Sequence, residues 1–132
     1  MCCYNYPTAL KKMLAGWKPG RVRTYWKCYN PARNALYSSV FGARVSRAGV
    51  VRSNSRRTRP CLSSGEIDRG IHVFLTLDWA LSQAQRWGDI VVPVRCRKDD
   101  LFAVSFGKSG TAVFRQVEIT PTAFRKATKQ GA

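Results

Sequence analysis

The first acidic residue of the chain is Glu66. The 65 residues before it carry 13 Lys and Arg and no carboxylate to pair with them, so any fold they adopt must leave the cations in water or offer them to a partner. Residues 66–118 hold seven bases against seven acids, and residues 119–132 add three more bases. The net charge of +16 therefore belongs to the first half and the tail, while the middle has the balance of an ordinary globular module. With 132 residues, 45% of them apolar, the chain can bury one core but not two. A single domain over 1–132 is expected. It comprises an acid-free basic half (1–65) running into an Arg-rich loop (43–69), a neutral strand-helix-strand-hairpin module (66–118) and a basic tail (119–132).

A charge of this size and sign points to a polyanionic partner, nucleic acid first and an acidic protein surface second. The densest run is residues 44–60, in which Arg44, Arg47, Arg52, Arg56, Arg57 and Arg59 are all arginine and none is lysine. The guanidinium fork matches phosphate oxygens two at a time, so the bias toward Arg favours phosphate contact. Upstream, residues 17–29 interleave aromatics with bases. On a strand, Arg21, Arg23, Tyr25, Lys27 and Tyr29 share one face and Val22, Thr24, Trp26 and Cys28 the other. The first set is expected to be presented outward as phosphate contacts, with Tyr25 and Tyr29 as a stacking platform for bases.

The remaining pattern gives the scaffold. Thr8 is expected to cap a short helix over residues 9–15 that ends at Gly16, and strands are expected over about 22–29 and 36–41. After the basic loop come a strand over 71–75 and a Thr76-capped helix over 77–87 that ends at Gly88. Its stripe of Leu77, Ala80, Leu81 and Ala84 is expected to pack on a sheet. Strands follow over about 90–95, 101–106 and 111–119, the last two joined by a turn at Gly107-Lys108-Ser109-Gly110. The expected fold is α+β: a mostly antiparallel sheet of about five strands with one helix on a face and a short N-terminal helix.

Five cysteines without a CxxC pair, and a single histidine, argue for reduced thiols and against a zinc site. No run approaches the roughly 20 apolar residues of a membrane span, and MCCYNYP lacks a signal-peptide layout, so a soluble cytoplasmic protein is expected. His72 reads as a strand histidine with no adjacent nucleophile, and the pairs Glu66/Asp68 and Asp99/Asp100 read as loop and turn residues.

Gly70-Ile71-His72-Val73-Phe74-Leu75-Thr76, the helix bearing Ala80 and Ala84, the strand Val91-Val92-Pro93-Val94, and Gln116-Val117-Glu118 resemble the second half of ADP-ribosyltransferase domains over about 50 residues. Such domains have a GxGIYF-like strand, an alanine-bearing helix and a Q/E-x-E motif. The resemblance would make Glu118, with Gln116 and His72 beside it, an acid assisting transfer from NAD. Asp68 replaces the first glycine of the strand motif, His72 stands at its aromatic position, and no strand that grips NAD is evident. The same stretch resembles small uncharacterised bacteriophage proteins with a G-x-H strand, a helix and a V-x-V strand. That resemblance would imply a phage origin and action on a host nucleoprotein complex, as an anti-CRISPR or other anti-defence inhibitor. The leading expectation is a non-enzymatic RNA- or DNA-binding protein with no cofactor or metal.

Overall fold

The structure is a computed structural model that describes residues 3–38, 44–53, 59–67, 69–105 and 110–130. In chain order the elements are β1 (Cys3–Asn5), α1 (Pro7–Ala15), β2 (Val22–Ala32), β3 (Ala35–Ser38), β4 (Arg44–Val45), β5 (Gly49–Arg52), β6 (Gly65–Ile67), β7 (Ile71–Phe74), α2 (Leu77–Trp87), β8 (Ile90–Arg97), β9 (Leu101–Val104), β10 (Thr111–Phe114), β11 (Gln116–Ile119) and α3 (Pro121–Lys129). A single 3-10 turn, Lys98–Asp100, joins β8 to β9.

The spine is β2. Its residues 22–29 pair antiparallel with β8, from Val22↔Arg97 to Tyr29↔Ile90. On its other edge β7 meets it at Trp26↔Phe74, and residues 29–32 fold back onto β3. The main sheet runs β5-β11-β8-β2-β7-β10-β9, with β3 and β4 branching from β2. Two links force this sheet to curl. Only Arg115 separates β10 from β11, yet four strand spacings lie between them. In a flat sheet that is about 19 Å, against roughly 7 Å reachable by two residue steps. Residues 46–48 likewise join β4 to β5 across five spacings. The sheet therefore wraps the core, and residues 111–119 act as one strand bent at Arg115 from one lobe into the other.

Inside the curl lie Trp17, Tyr29, Val73, Val92, Val94, Phe114, Val117 and Ile119, closed by Leu10 of α1 and Ala127 of α3. On the outer surface Ala80 and Ala84 of α2 sit on Cys28 and Phe74. Cys61 and Ile67 cover Phe102, Ala103 and Val113 at the other lobe. Asn5 is fully buried and satisfied: its amide donates to the carbonyls of Cys61 (2.7 Å) and Ser63 (2.9 Å), and its oxygen accepts from the Val104 amide (3.0 Å). It thereby ties the end of the Arg-rich segment to β9, since an unpaired buried amide would cost on the order of 1–3 kcal/mol. Gly70 has φ of 113°, and a Cβ there would lie 2.3 Å from Val113 Cγ1, so only glycine lets β7 approach β10.

The α+β class holds; the described residues form three helices and a nine-stranded sheet where about five strands were expected. The difference has two sources. The segment read as an Arg-rich loop contributes β4 and β5 to this sheet, where Val45 and Val51 reach the apolar cluster beside Arg44 and Arg52, and it also forms β6, which pairs with β1 in a separate two-stranded sheet. The strand expected over 111–119 divides at Arg115 into β10 and β11. In α1, Pro7 at the first turn replaces the expected Thr8 cap, and Tyr6 is the residue before the helix. In α2, Thr76 caps through the Trp79 amide and Gly88 closes in the left-handed region at φ 71°. Its buried stripe is Ala80, Gln83 and Ala84, so Leu77 and Leu81, expected on the sheet, are exposed. Small side chains let the helix lie close over Cys28 and Phe74, which turns the leucines outward. The turn expected at 107–110 and the end of the 36–41 strand fall outside the described residues.

Cys28, Cys61 and Cys96 are buried free thiols. Burial raises Cys28 to a pKa of about 11 and Cys96 to about 12, so both stay protonated and unreactive near neutrality. Among the described residues no three His, Cys, Asp or Glu side chains group as metal ligands, and no helix is long and apolar enough to cross a membrane.

Candidate nucleic-acid interface

The face of β2 expected to point outward turns into the core, while Cys28, expected inward on the opposite face, is also buried, beneath α2. Tyr25 and Tyr29 join the core cluster inside the curl, and Tyr29 is 1% exposed. Tyr25 packs edge-on against Trp17 at 6.1 Å and tilted against Phe114 at 6.1 Å. Tyr25 and Tyr29 bury their rings among the inner apolar residues, and α2 covers Trp26 and Cys28 on the opposite face. The expected stacking platform is thus part of the core. The Tyr29 hydroxyl has no hydrogen-bond partner among the described residues, and burial raises its pKa.

Arg23 and Lys27 share this inner face and are held by the fold. Arg23 lies 4.6 Å over the Trp17 ring, and its guanidinium donates to the Gly16 carbonyl (2.9 Å) and the Tyr25 hydroxyl (3.2 Å). It fastens the end of α1 to the start of β2. The Lys27 ammonium donates to the His72 carbonyl at 3.2 Å and lies 5.4 Å from the Tyr29 ring. It bridges the strands just beyond their single paired position, Trp26↔Phe74. Burial lowers its pKa to about 8. His72 shares a 2.9 Å hydrogen bond between Nε2 and the Ile67 carbonyl, and its pKa is lowered, chiefly by burial and further by the Lys27 charge. A ring whose Nε2 is tied to the Ile67 carbonyl crosslinks β7 to β6.

The outer face of the β5-β11-β8-β2 lobe differs. Alternation sends Val92, Val94 and Cys96 inward and Pro93, Arg95 and Arg97 outward, all three exposed. Register places Arg95 opposite Thr24 on one side and Glu118 on the other, and Arg97 opposite Val22. On β11, Gln116 faces Arg52 and Glu118 faces Val50 of β5. Arg52 and Val50 are exposed while Val51 points inward. Among the described residues of this sheet surface, three arginines therefore stand with one carboxylate, Glu118. Arg95 Nη1 meets Glu118 Oε1 at 3.2 Å, with side chains 48% and 40% exposed. An ion pair this open is weak, on the order of 0–1 kcal/mol, and competes poorly against a phosphate. Helix α2 covers only the Trp26–Cys28 end of the surface, where Trp26 stays partly exposed opposite Pro93.

Of the other expected contacts, Arg21 is exposed at the entry to β2, its carbonyl accepting from Trp17 Nε1 at 2.9 Å. Arg44, opposite Tyr37 on β4, and Arg47, in the link to β5, are exposed, as is Arg59 before Cys61. Arg56 and Arg57 lie outside the described residues. The structure brings Arg52 together with Arg95 and Arg97, neither of which the charge pattern singled out. Their signal is the alternation of 92–97, which places Arg95 and Arg97 on the outward face of an otherwise apolar strand. Gln116 and Glu118 lie on this open face beside Arg52 and Arg95, whereas His72 lies on β7, so the three do not form one site. No protein-family model, curated protein or solved structure matches the chain.

Proposed function

We propose that the protein binds nucleic acid, RNA or DNA, by contacting phosphates through its exposed arginines, without carrying out covalent chemistry on it. The observation that carries this reading is the uncovered sheet surface on which Arg52, Arg95 and Arg97 face one carboxylate, Glu118. A surface with this excess of guanidinium attracts a polyanion and repels cationic partners. The exposed Arg44, Arg47 and Arg59, with the acid-free segment around them, extend the same potential. Filter binding across a salt series tests the reading. Affinity for RNA or DNA should fall steeply and linearly on logarithmic axes, because phosphate neutralisation releases counterions. Binding unchanged after Arg52, Arg56, Arg57 and Arg59 are together replaced by Ala would count against the Arg-rich segment. Retention by a host nucleoprotein complex with negligible affinity for free strands would favour the inhibitor reading.

A further inference from the structure

We propose that the outer face of the β5-β11-β8-β2 lobe takes single-stranded nucleic acid, and that Glu118 competes with the incoming phosphate for Arg95. The proposal rests on the nucleic-acid reading above and names the form of the ligand and its position.

The shape of the surface decides between single strand and duplex. Reading a duplex requires an element that projects into a groove, a helix or a two-stranded ribbon. This surface is sheet, two residue rows deep. One row runs Thr24, Arg95, Glu118 and Val50, and a second holds Val22 and Arg97 on β2 and β8 with Gln116 and Arg52 on β11 and β5. Where the next row begins, at Trp26 and Pro93, α2 rises above the sheet through Ala80 and Ala84 and limits the approach of a wide rod. Four strands span about 14 Å at the usual spacing, room for a few nucleotides laid flat. An open sheet face carrying cations and a partly exposed aromatic is suited to a strand whose bases are already free to stack. Trp26 supplies the ring, beside the exposed ring of Pro93.

Charge decides the register. Arg97 lies across from Val22, and Arg52 faces the neutral Gln116. Both are open to phosphate. Arg95 is held by Glu118 at 3.2 Å, so a phosphate reaching it must displace that carboxylate or tolerate its repulsion. Glu118 is thus an antagonist of binding. A catalytic role for the same residue would make its loss abolish function instead.

The experiment is fluorescence-anisotropy titration with oligo-dT, oligo-U and a mixed-sequence duplex of equal length, using wild type, R52A/R97A, R44A/R47A and E118Q at several salt concentrations. The expected results are tighter binding of either single strand than of the duplex and, for the single strands, a slope of log affinity against log salt lowered by about 1.4 in R52A/R97A. E118Q should tighten binding by about three- to ten-fold. R44A/R47A, outside the two residue rows of this surface, should cost less than R52A/R97A. Preferential duplex binding, an unaltered R52A/R97A, or an E118Q that binds no better than wild type would each overturn the proposal while leaving nucleic-acid binding in place. If wild type binds none of the three probes at low salt, both readings fail together. Thermal unfolding of each variant separates lost contacts from lost fold.

Discussion

Arg115 and Asp100 are joined twice, by the Arg115 amide on the Asp100 carbonyl at 2.8 Å and by Nη2 on Oδ1 at 3.2 Å. The carboxylate is 6% exposed and the guanidinium 34%. The Arg115 carbonyl in turn accepts from the Ser53 amide at 2.9 Å, just past β5. One residue thus fixes the corner where the strand passes from β10 to β11 and anchors the edge carrying Arg52.

Replacing Asp100 by Ala would leave the Arg115 charge partly enclosed without its counter-ion. A cost of about 2 kcal/mol is expected, below the range for fully buried pairs because the guanidinium keeps some solvent. Urea unfolding should show it as a lower midpoint at unchanged slope. A midpoint equal to wild type would mean that the backbone bond alone holds the corner.

Lys27 should give stability an alkaline signature. Its pKa is lowered to about 8 in the fold, mainly by burial, whereas the unfolded chain keeps the ordinary lysine value near 10.4. Between those values the unfolded state holds a proton that the folded state has released, so this group's contribution rises with pH across the window. The raised pKa values of Cys28, Cys96 and Tyr29 act in the opposite direction above the ordinary thiol range. Comparison with Lys27→Met cancels the Cys96 and Tyr29 contributions and leaves a smaller one from Cys28, whose pKa the Lys27 charge lowers. The stability difference should move in favour of wild type by about 2 kcal/mol between pH 7 and 10, read by denaturant unfolding. A difference flat with pH would show that Lys27 titrates normally.

Arg23 should behave as a structural residue despite its place in a basic, aromatic-rich segment. Arg23→Ala removes the contact over Trp17 and the bond to the Gly16 carbonyl, at a cost of about 1 kcal/mol. It should leave the salt dependence of nucleic-acid binding unchanged, whereas Arg97→Ala lowers the slope by about one without affecting thermal stability. A lowered slope in Arg23→Ala would place that guanidinium on phosphate after all.

The parts of the fold that short-range chemistry determines were legible in the sequence. Thr76 and Gly88 mark α2 because capping and a left-handed closing residue are local requirements. The alternation in β2 and β8 was equally plain, but alternation does not say which face is covered. That depends on α1, Trp17 and Phe114, which reach β2 from elsewhere in the chain. β5 was hidden for the same reason. Gly49-Val50-Val51-Arg52 is a strand because β11, more than 60 residues later, pairs with it along its whole length. The candidate surface followed suit: Arg52 was found by composition, and Arg95, Arg97 and Glu118 became its neighbours only through register.

The bend at Arg115 also bears on how quickly a partner can be captured. Because β10 and β11 are a single strand shared by both lobes, neither lobe can be completed without the other. The backbone carrying Arg52, Arg95 and Arg97 is therefore arranged when the domain folds, before any ligand arrives, and association need only immobilise side-chain tips. The entropy of arranging that backbone belongs to folding, so encounter can approach the rate that long-range attraction between opposite charges allows.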